Sequence, residues 1–243
     1  MIQPLTRHAA VVAGATSDIG RAVCLSLAAA GAQLCLLGRD ASTLEEVAKS
    51  VRSFTDKVFV YPVDITSDAS VTELTAQLGR DLGRVDVLVH SAGVFEMGPH
   101  GSAAVADLDR QYQTNVRGPY LLTQALLPLL RACRGQVVFV NSTVGLEARA
   151  GVGQYASTQH GLRAIADALR AEVNPDGVRV LTVYLGRTAT ARQAWIFRLE
   201  GRPYAPELLI QPDDVAEIVL AALRLPRTAE VTEIRMRPLV KSY

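Results

Sequence analysis

The sequence predicts an α/β fold: a single domain built on a doubly wound parallel sheet with helices on both faces. Three observations predict it. Short apolar runs of strand length alternate with longer stretches of helical periodicity along the whole chain. The first run ends in a small-residue turn, Gly14 to Gly20, that opens directly into a helix. No Pro/Gly/Ser-rich linker and no shift of composition divides the 243 residues.

Each element has its own warrant. Ala9 to Ala13 is a continuous apolar strand, and after the turn Ile19, Val23, Leu27 and Ala30 recur at helical spacing. Gly31 ends that helix, and Gln33 to Leu37 form the second strand, followed by Gly38-Arg39-Asp40. Ser42 and Glu45 have capping-box spacing for a helix to about Arg52. Val58 to Val60 is a third strand running toward Asp64, and a helix covers about Asp68 to Leu82. Strand Val85 to Val89 precedes a long helical stretch over about 103–131, which Pro119 and Pro128 should kink or interrupt. Strand Gln136 to Val140, a helix from about Val152 to Val173 and strand Val178 to Tyr184 follow. A looser segment, Gly186 to Ile210, leads to a helix from Pro212 to Leu223, with Pro212 suited to a first turn. The last strand lies near Val231 to Met236.

Strands alternating with helices give right-handed crossovers and a parallel sheet covered on both sides. Ligands of such sheets bind at the carboxyl ends of the strands. Here those ends are Gly14, Gly38, Asp64, Ser91, Ser142 and Gly186, all in polar or glycine-containing loops. The first turn suits a phosphate, since glycines let the backbone approach closely and a helix start presents free N–H groups.

Composition excludes several classes. A net charge of +1 leaves no electrostatic footprint for nucleic acid or an acidic membrane. The amino-terminal residues contain no apolar signal region. The uncharged run 22–38 is interrupted by Gly31 and Gln33 and reads as helix, turn and strand rather than a membrane span. Cys24, Cys35 and Cys133 are scattered in apolar segments, with neither metal spacing nor a disulfide framework. Buried thiols, a cytoplasmic location and no bound metal are expected.

Ordered motifs then identify a resemblance. G-A-T-S-D-I-G at 14–20, V-D-I at 63–65, S-A-G at 91–93, N-V-x-G at 115–118, Ser142 thirteen residues before Tyr155, and G-R-T-A-T at 186–190 follow one another correctly spaced. The chain resembles the short-chain dehydrogenase/reductase family over nearly its full length. The resemblance implies a Rossmann-like sheet of about seven strands, binding of NAD(H) or NADP(H), interconversion of alcohols and carbonyls on a small-molecule substrate, and a homodimer or homotetramer formed through the helices near 103–131 and 152–173. It implies that Tyr155 exchanges a proton with the substrate oxygen, that Ser142 hydrogen-bonds that oxygen, and that Asn115 ties its helix to the site. Gly14, Thr16, Ser17, Asp18, Ile19 and Gly20 would meet the diphosphate side of the cofactor. Asp64 and Ile65 would meet the adenine, Ser91, Ala92 and Gly93 the middle, and Gly186, Thr188 and Thr190 the nicotinamide end.

The chain departs from the family pattern in four places. Gln159 stands where the family has a catalytic lysine that holds the nicotinamide ribose and lowers the tyrosine pKa. A unit charge ~5 Å away at an effective dielectric of ~20 is worth about 3 kcal/mol, roughly two pKa units. Without it, and absent another cation, a tyrosine near its reference pKa of ~10 is ionised to about one part in a thousand at pH 7. Alcohol oxidation, which needs tyrosinate, should suffer more than carbonyl reduction, which needs the neutral phenol. On the helix, His160 points about 100° away, and Arg163 lies one turn further along the same face. Asp18 replaces a glycine of the family turn and brings negative charge toward the diphosphate. Ser91 replaces an asparagine, and Leu185 a proline.

Cofactor choice turns on the end of the second strand. NAD-specific members carry an acid there, and this chain has Gly38 followed by Arg39, whose fork suits a 2′-phosphate. NADP(H) is therefore favoured over NAD(H), with Asp40 read as part of the next helix start. Residues 187–210 would form the substrate lid. They hold Trp195 beside Ile196 and Phe197, with Arg192, Arg198 and Arg202 among them, a composition suited to an apolar substrate with an anionic group or to a small amphipathic helix closing the core. Val94 and Phe95 would line the opposite wall. Two other readings fit the same residues: a dinucleotide-binding protein without hydride transfer, acting as sensor or partner subunit, and a cofactor-free acid–base enzyme using Tyr155 and Ser142.

Overall fold

The computed structural model describes residues 5–240. Its first half comprises β1 (Ala9–Ala13), α1 (Asp18–Ala29), β2 (Gln33–Gly38), α2 (Ala41–Val51), β3 (Val58–Pro62), α3 (Asp68–Asp81), β4 (Val87–His90) and α4 (Val105–Tyr112). The second half comprises α5 (Gly118–Cys133), β5 (Gln136–Ser142), α6 (Gly153–Val173), β6 (Arg179–Leu185), α7 (Ala191–Leu199), α8 (Pro212–Leu223) and β7 (Glu233–Met236). The strands form one seven-stranded sheet in the order β3-β2-β1-β4-β5-β6-β7. Every pairing is parallel. The doubly wound α/β expectation holds.

The strands are apolar without alternation because both faces are covered. In β1 all five residues are buried. Ala10 and Val12 join the core under α1, α2 and α8, while Val11 and Ala13 join the core under α3, α5 and α6. That division follows the two-residue period of a strand. Leu122, Leu126 and Leu130 repeat every fourth residue on α5 and are fully buried. At about 1.5–3 kcal/mol each, they outweigh the hydrogen bond that Pro128 removes inside the same helix. Glycines at positive φ close the turns that lead into β2, β4 and β6: Gly31, Gly83 and Gly177.

Four expectations need correction. The stretch 103–131 is not one helix kinked at its prolines. It is α4 and α5 joined by a π turn, Gln113–Arg117. Pro119 falls in the first two positions of α5, directly after the π turn, and Pro128 sits inside α5 without ending it. Second, α2 is not started by a Ser42–Glu45 box. Asp40 is the cap, and its Oδ1 accepts from the Thr43 backbone N–H and from the Ser42 and Thr43 hydroxyls, each at 2.7 Å. Third, the looser segment is not irregular throughout: it contains a small helix, α7, which its composition also allowed and which Thr190 caps. Fourth, Cys24 and Cys35 are buried but Cys133 is only partly so. Among the described residues no helix is long and apolar enough to cross a membrane, and no cluster of His, Cys, Asp or Glu could hold a metal ion.

Candidate active site

Adjacent β1 and β4 feed connections that wind away in opposite directions, and the crevice opens between their carboxyl ends. The turn after β1 has to lie against the loop after β4. Gly14 makes this approach at φ +81°, and a Cβ there would fall 2.5 Å from the Ala92 backbone nitrogen. Ser17 then organises the turn. Its hydroxyl donates to the Gly14 carbonyl (2.8 Å) and accepts from the Gly20 N–H (3.0 Å), capping α1. Because that single proton is spent on Gly14, the Ser91 hydroxyl, 2.9 Å away, must donate to Ser17. Ser91, in place of the family asparagine, thus ties the two loops together. Asp18 is the first residue of α1 and does not cap it. Its carboxylate crosses the crevice and accepts from the Ala191 N–H of α7 at 2.9 Å.

Two adjoining cavities of about 480 Å³ each lie along the strand ends. Thr16, Ser17, Ser91, Ala92 and Gly93 line both and so form the waist of one elongated cleft. One end holds Gly14, Gly38, Arg39, Asp64, Ile65 and Val94. The other holds Asp18, Ile19, Asn115, Ser142, Tyr155, Gln159, Gly186, Thr188 and Thr190. Gly20 lines neither: it is buried beneath the turn, where a Cβ would fall 2.1 Å from the Gly14 carbonyl oxygen. Val94, expected on the substrate wall, lines the opposite end instead. Trp195 is one contact removed, edge-on to the Phe95 ring with centroids 6.2 Å apart.

At the Arg39 end, Arg39 is exposed, and among the described residues its guanidinium makes no hydrogen bond. The Asp64 carboxyl is held below its usual range by the backbone N–H and hydroxyl of Thr66, with a further contribution from Arg39. Asp40 is engaged in its helix cap, with its pKa lowered to about 2 by those bonds. No carboxylate remains at the end of β2 to receive a ribose hydroxyl pair.

At the other end, Ser142 closes β5 and Tyr155 lies in the first turn of α6. The Tyr155 ring meets Phe95 edge-on, centroids 4.8 Å apart. Burial pushes the Tyr155 phenol above its ordinary value, while the Arg192 guanidinium and a hydrogen bond with Ser142 pull it down. Asn115 sits in the π turn. Its side-chain amide exchanges both hydrogen bonds with the Val94 backbone (2.8 and 2.9 Å) and donates to Thr158 on α6 (3.2 Å). The π turn thus joins three segments of the site. Gln159 is buried beside the cleft, its amide nitrogen 3.5 Å from Thr158 Oγ1. His160 turns back onto the Ala156 carbonyl. Arg163 faces Asp167, Glu233 and the Tyr184 ring, away from Tyr155. Sequence spacing brought Ser142, Tyr155 and Asn115 together. It did not connect Asp18 to Ala191, or Arg192 to the Gly93 carbonyl. No periodicity relates residues so far apart in the chain.

The cleft fits an extended dinucleotide. It is continuous, the free N–H groups at the start of α1 open onto its waist, an unbonded guanidinium stands at one end and a phenol–hydroxyl pair at the other. The fold and the site therefore define an α/β protein of the dinucleotide-binding class, with a buried tyrosine bonded to Ser142 at the strand ends. Comparison with known proteins names the family. A family model described as short chain dehydrogenase matches residues 8–199. The chain belongs to the short-chain dehydrogenase/reductase family and is an oxidoreductase of that kind. It is 32% identical over 235 residues to an uncharacterized oxidoreductase of Staphylococcus aureus strain USA300, covering 96% of this chain and 98% of that one. It is 32% identical over 241 residues to a glycine betaine reductase of Emericella nidulans, where the match covers 97% of this chain and 19% of that much longer protein. The alcohol dehydrogenase of Thermococcus sibiricus, solved in complex with 5-hydroxy-NADP, superposes with a TM-score of 0.87 at 27% identity, over 97% of this chain and 98% of that one.

Proposed function

We propose that this protein is an NADP(H)-dependent reductase that converts a small-molecule carbonyl to an alcohol, with a tyrosine-centred site that works without the family lysine. The observation that carries this reading is the pairing of Tyr155 with Ser142 at one end of a cleft whose other end presents Arg39, with no uncommitted carboxylate at the end of β2. A bound nicotinamide cofactor would supply the hydride. Arg39 would hold its 2′-phosphate, and the start of α1 and the waist residues would hold its diphosphate. The complex of the Thermococcus sibiricus enzyme with an NADP derivative supports the same choice.

The protein's own part is acid–base and positional. Ser142 would orient the carbonyl oxygen, and Tyr155 would donate the proton that oxygen needs as it becomes an alcohol. Because burial raises the Tyr155 pKa, the phenol is neutral through the physiological range, the form that reduction requires. Phe95, backed by Trp195, would give the substrate an apolar wall.

A titration with NADPH and NADH followed by reduction of a carbonyl panel tests this reading. Tighter binding of NADPH is expected, with reductive kcat/KM flat from about pH 6 to 9 and falling only as the phenol ionises. Tyr155→Phe should lower reduction by about 10²–10⁴-fold and leave NADPH binding unchanged. Full activity of Tyr155→Phe would refute the assignment. Binding of neither nucleotide would redirect the search to non-redox chemistry.

A further inference from the structure

We propose that Arg192, on the first turn of α7 and anchored there by Asp18, supplies to Tyr155 the positive charge that Gln159 lacks. The proposal rests on Tyr155 being the proton donor, and it makes Arg192 a positioning residue that acts through that phenol.

The charged groups around Tyr155 are few. On its own helix the nearby candidates are neutral or turned away: Gln159 is an amide, the His160 ring is bonded to the Ala156 carbonyl, and Arg163 faces Asp167 and Glu233. From the other elements, the charged side chains lining the same cavity are Asp18, Arg149, Arg187, Arg192 and Glu200. Arg187 is committed: its Nη2 donates to both Glu200 oxygens, at 2.9 and 2.8 Å, and its guanidinium lies over the Phe197 ring. Arg192 differs. It reaches across the cleft and donates to the Gly93 carbonyl, a neutral acceptor, and among the described residues its guanidinium makes no salt bridge. Its field opposes the effect of burial on the Tyr155 phenol, in the direction a lysine at 159 would act. The guanidinium is exposed on its solvent side, so the effect is screened and correspondingly modest.

Asp18 gives this cation a fixed origin. The first-turn N–H groups of α7 have no partners within the helix. Thr190 Oγ1 accepts from Gln193 at 3.1 Å, and Asp18 accepts from Ala191 across the cleft at 2.9 Å. Asp18 thereby ties the start of α7, which Thr190 caps, to the glycine turn, one residue before Arg192. The two departures at positions 18 and 159 are then one compensated change: the charge has moved from α6 to the lid, and the glycine turn has gained the carboxylate that holds the lid in place.

The test is a titration of the full-length protein carrying ¹³Cζ-tyrosine, read by NMR, with Tyr155→Phe assigning the resonance and near-ultraviolet circular dichroism confirming the fold. Arg192→Gln should move the Tyr155 midpoint upward, Arg192→Lys should preserve it, and adding Gln159→Lys to Arg192→Gln should move it back down. Arg192→Met, which removes the charge and keeps an unbranched side chain, should shift the midpoint in the same direction as Arg192→Gln. It serves as the second probe should Arg192→Gln fold poorly. In the oxidative direction at fixed pH, Arg192→Gln should slow turnover about two- to fivefold, the range an exposed charge pair commands. An unchanged midpoint in both Arg192→Gln and Arg192→Met would overturn the proposal, as would a shift that Gln159→Lys does not reverse. The titration involves no substrate and no hydride, so its outcome stands apart from whether the protein is a reductase.

Discussion

Hydrogen-bond capacity decides much of the site residue by residue. Ser17 has one proton and two lone pairs and uses all three, on Gly14, Gly20 and Ser91. Asn115 likewise spends its amide on Val94 and Thr158. Arg39 makes no such bond among the described residues and is free to meet an anion. Replacing Arg39 by alanine should weaken NADPH binding about 10- to 100-fold, the worth of charged hydrogen bonds to a phosphate, and leave NADH binding within about twofold. Paired fluorescence titrations check this, and equal losses for both nucleotides would show that Arg39 does not read the 2′-phosphate.

At the scale of elements, caps and helix joints set the geometry. Asp40 starts α2, and its depressed pKa gives a direct sign. The folded-state value, about 2, lies below the unfolded value near 3.9. The cap therefore contributes in full above about pH 4 and is lost as pH falls through 2. Urea midpoints of wild type and Asp40→Ala should differ at pH 6 and converge near pH 2. Asp86 plays the same part for the sheet. Buried at the start of β4, it accepts from the Ala9 N–H (2.8 Å) and from Arg84 Nε and Nη2 (2.8 and 2.6 Å). Asp86→Ala orphans a buried β1 donor and should lower the unfolding free energy by about 2–4 kcal/mol in a denaturant titration. The π turn at Gln113–Arg117 was illegible in the sequence, because its wider hydrogen-bonding ring leaves no composition signature. Asp40 is legible as part of the helix start but not as its cap for a related reason: Ser42 and Glu45 also satisfy the capping pattern, two residues further on, and only the bond from the Thr43 N–H to Asp40 decides between them.

For the molecule as a whole, the legible part was what periodicity and ordered motifs encode. Seven apolar runs gave the sheet, and the strand ends gave the cleft. Contacts between residues distant in the chain, such as Asp18 with Ala191, came only with the fold. Assembly belongs to this scale as well. Val105, Tyr112 and Tyr120 stand exposed on and around α4 and α5, in the region through which the family is expected to associate. Sedimentation at micromolar concentration should give a mass of two or four chains, and a monomer would count against that assembly. The direction of the sheet has one more consequence. All the chemistry collects on the rim where strands end, while Gly31, Gly83 and Gly177 turn the chain on the opposite rim, where strands begin. The two rims can therefore change under separate selection. Loops on the first can be rewritten to alter what is bound without disturbing the turns that let the chain fold, and a peptide grafted beside Gly83 would leave every cleft residue where it stands.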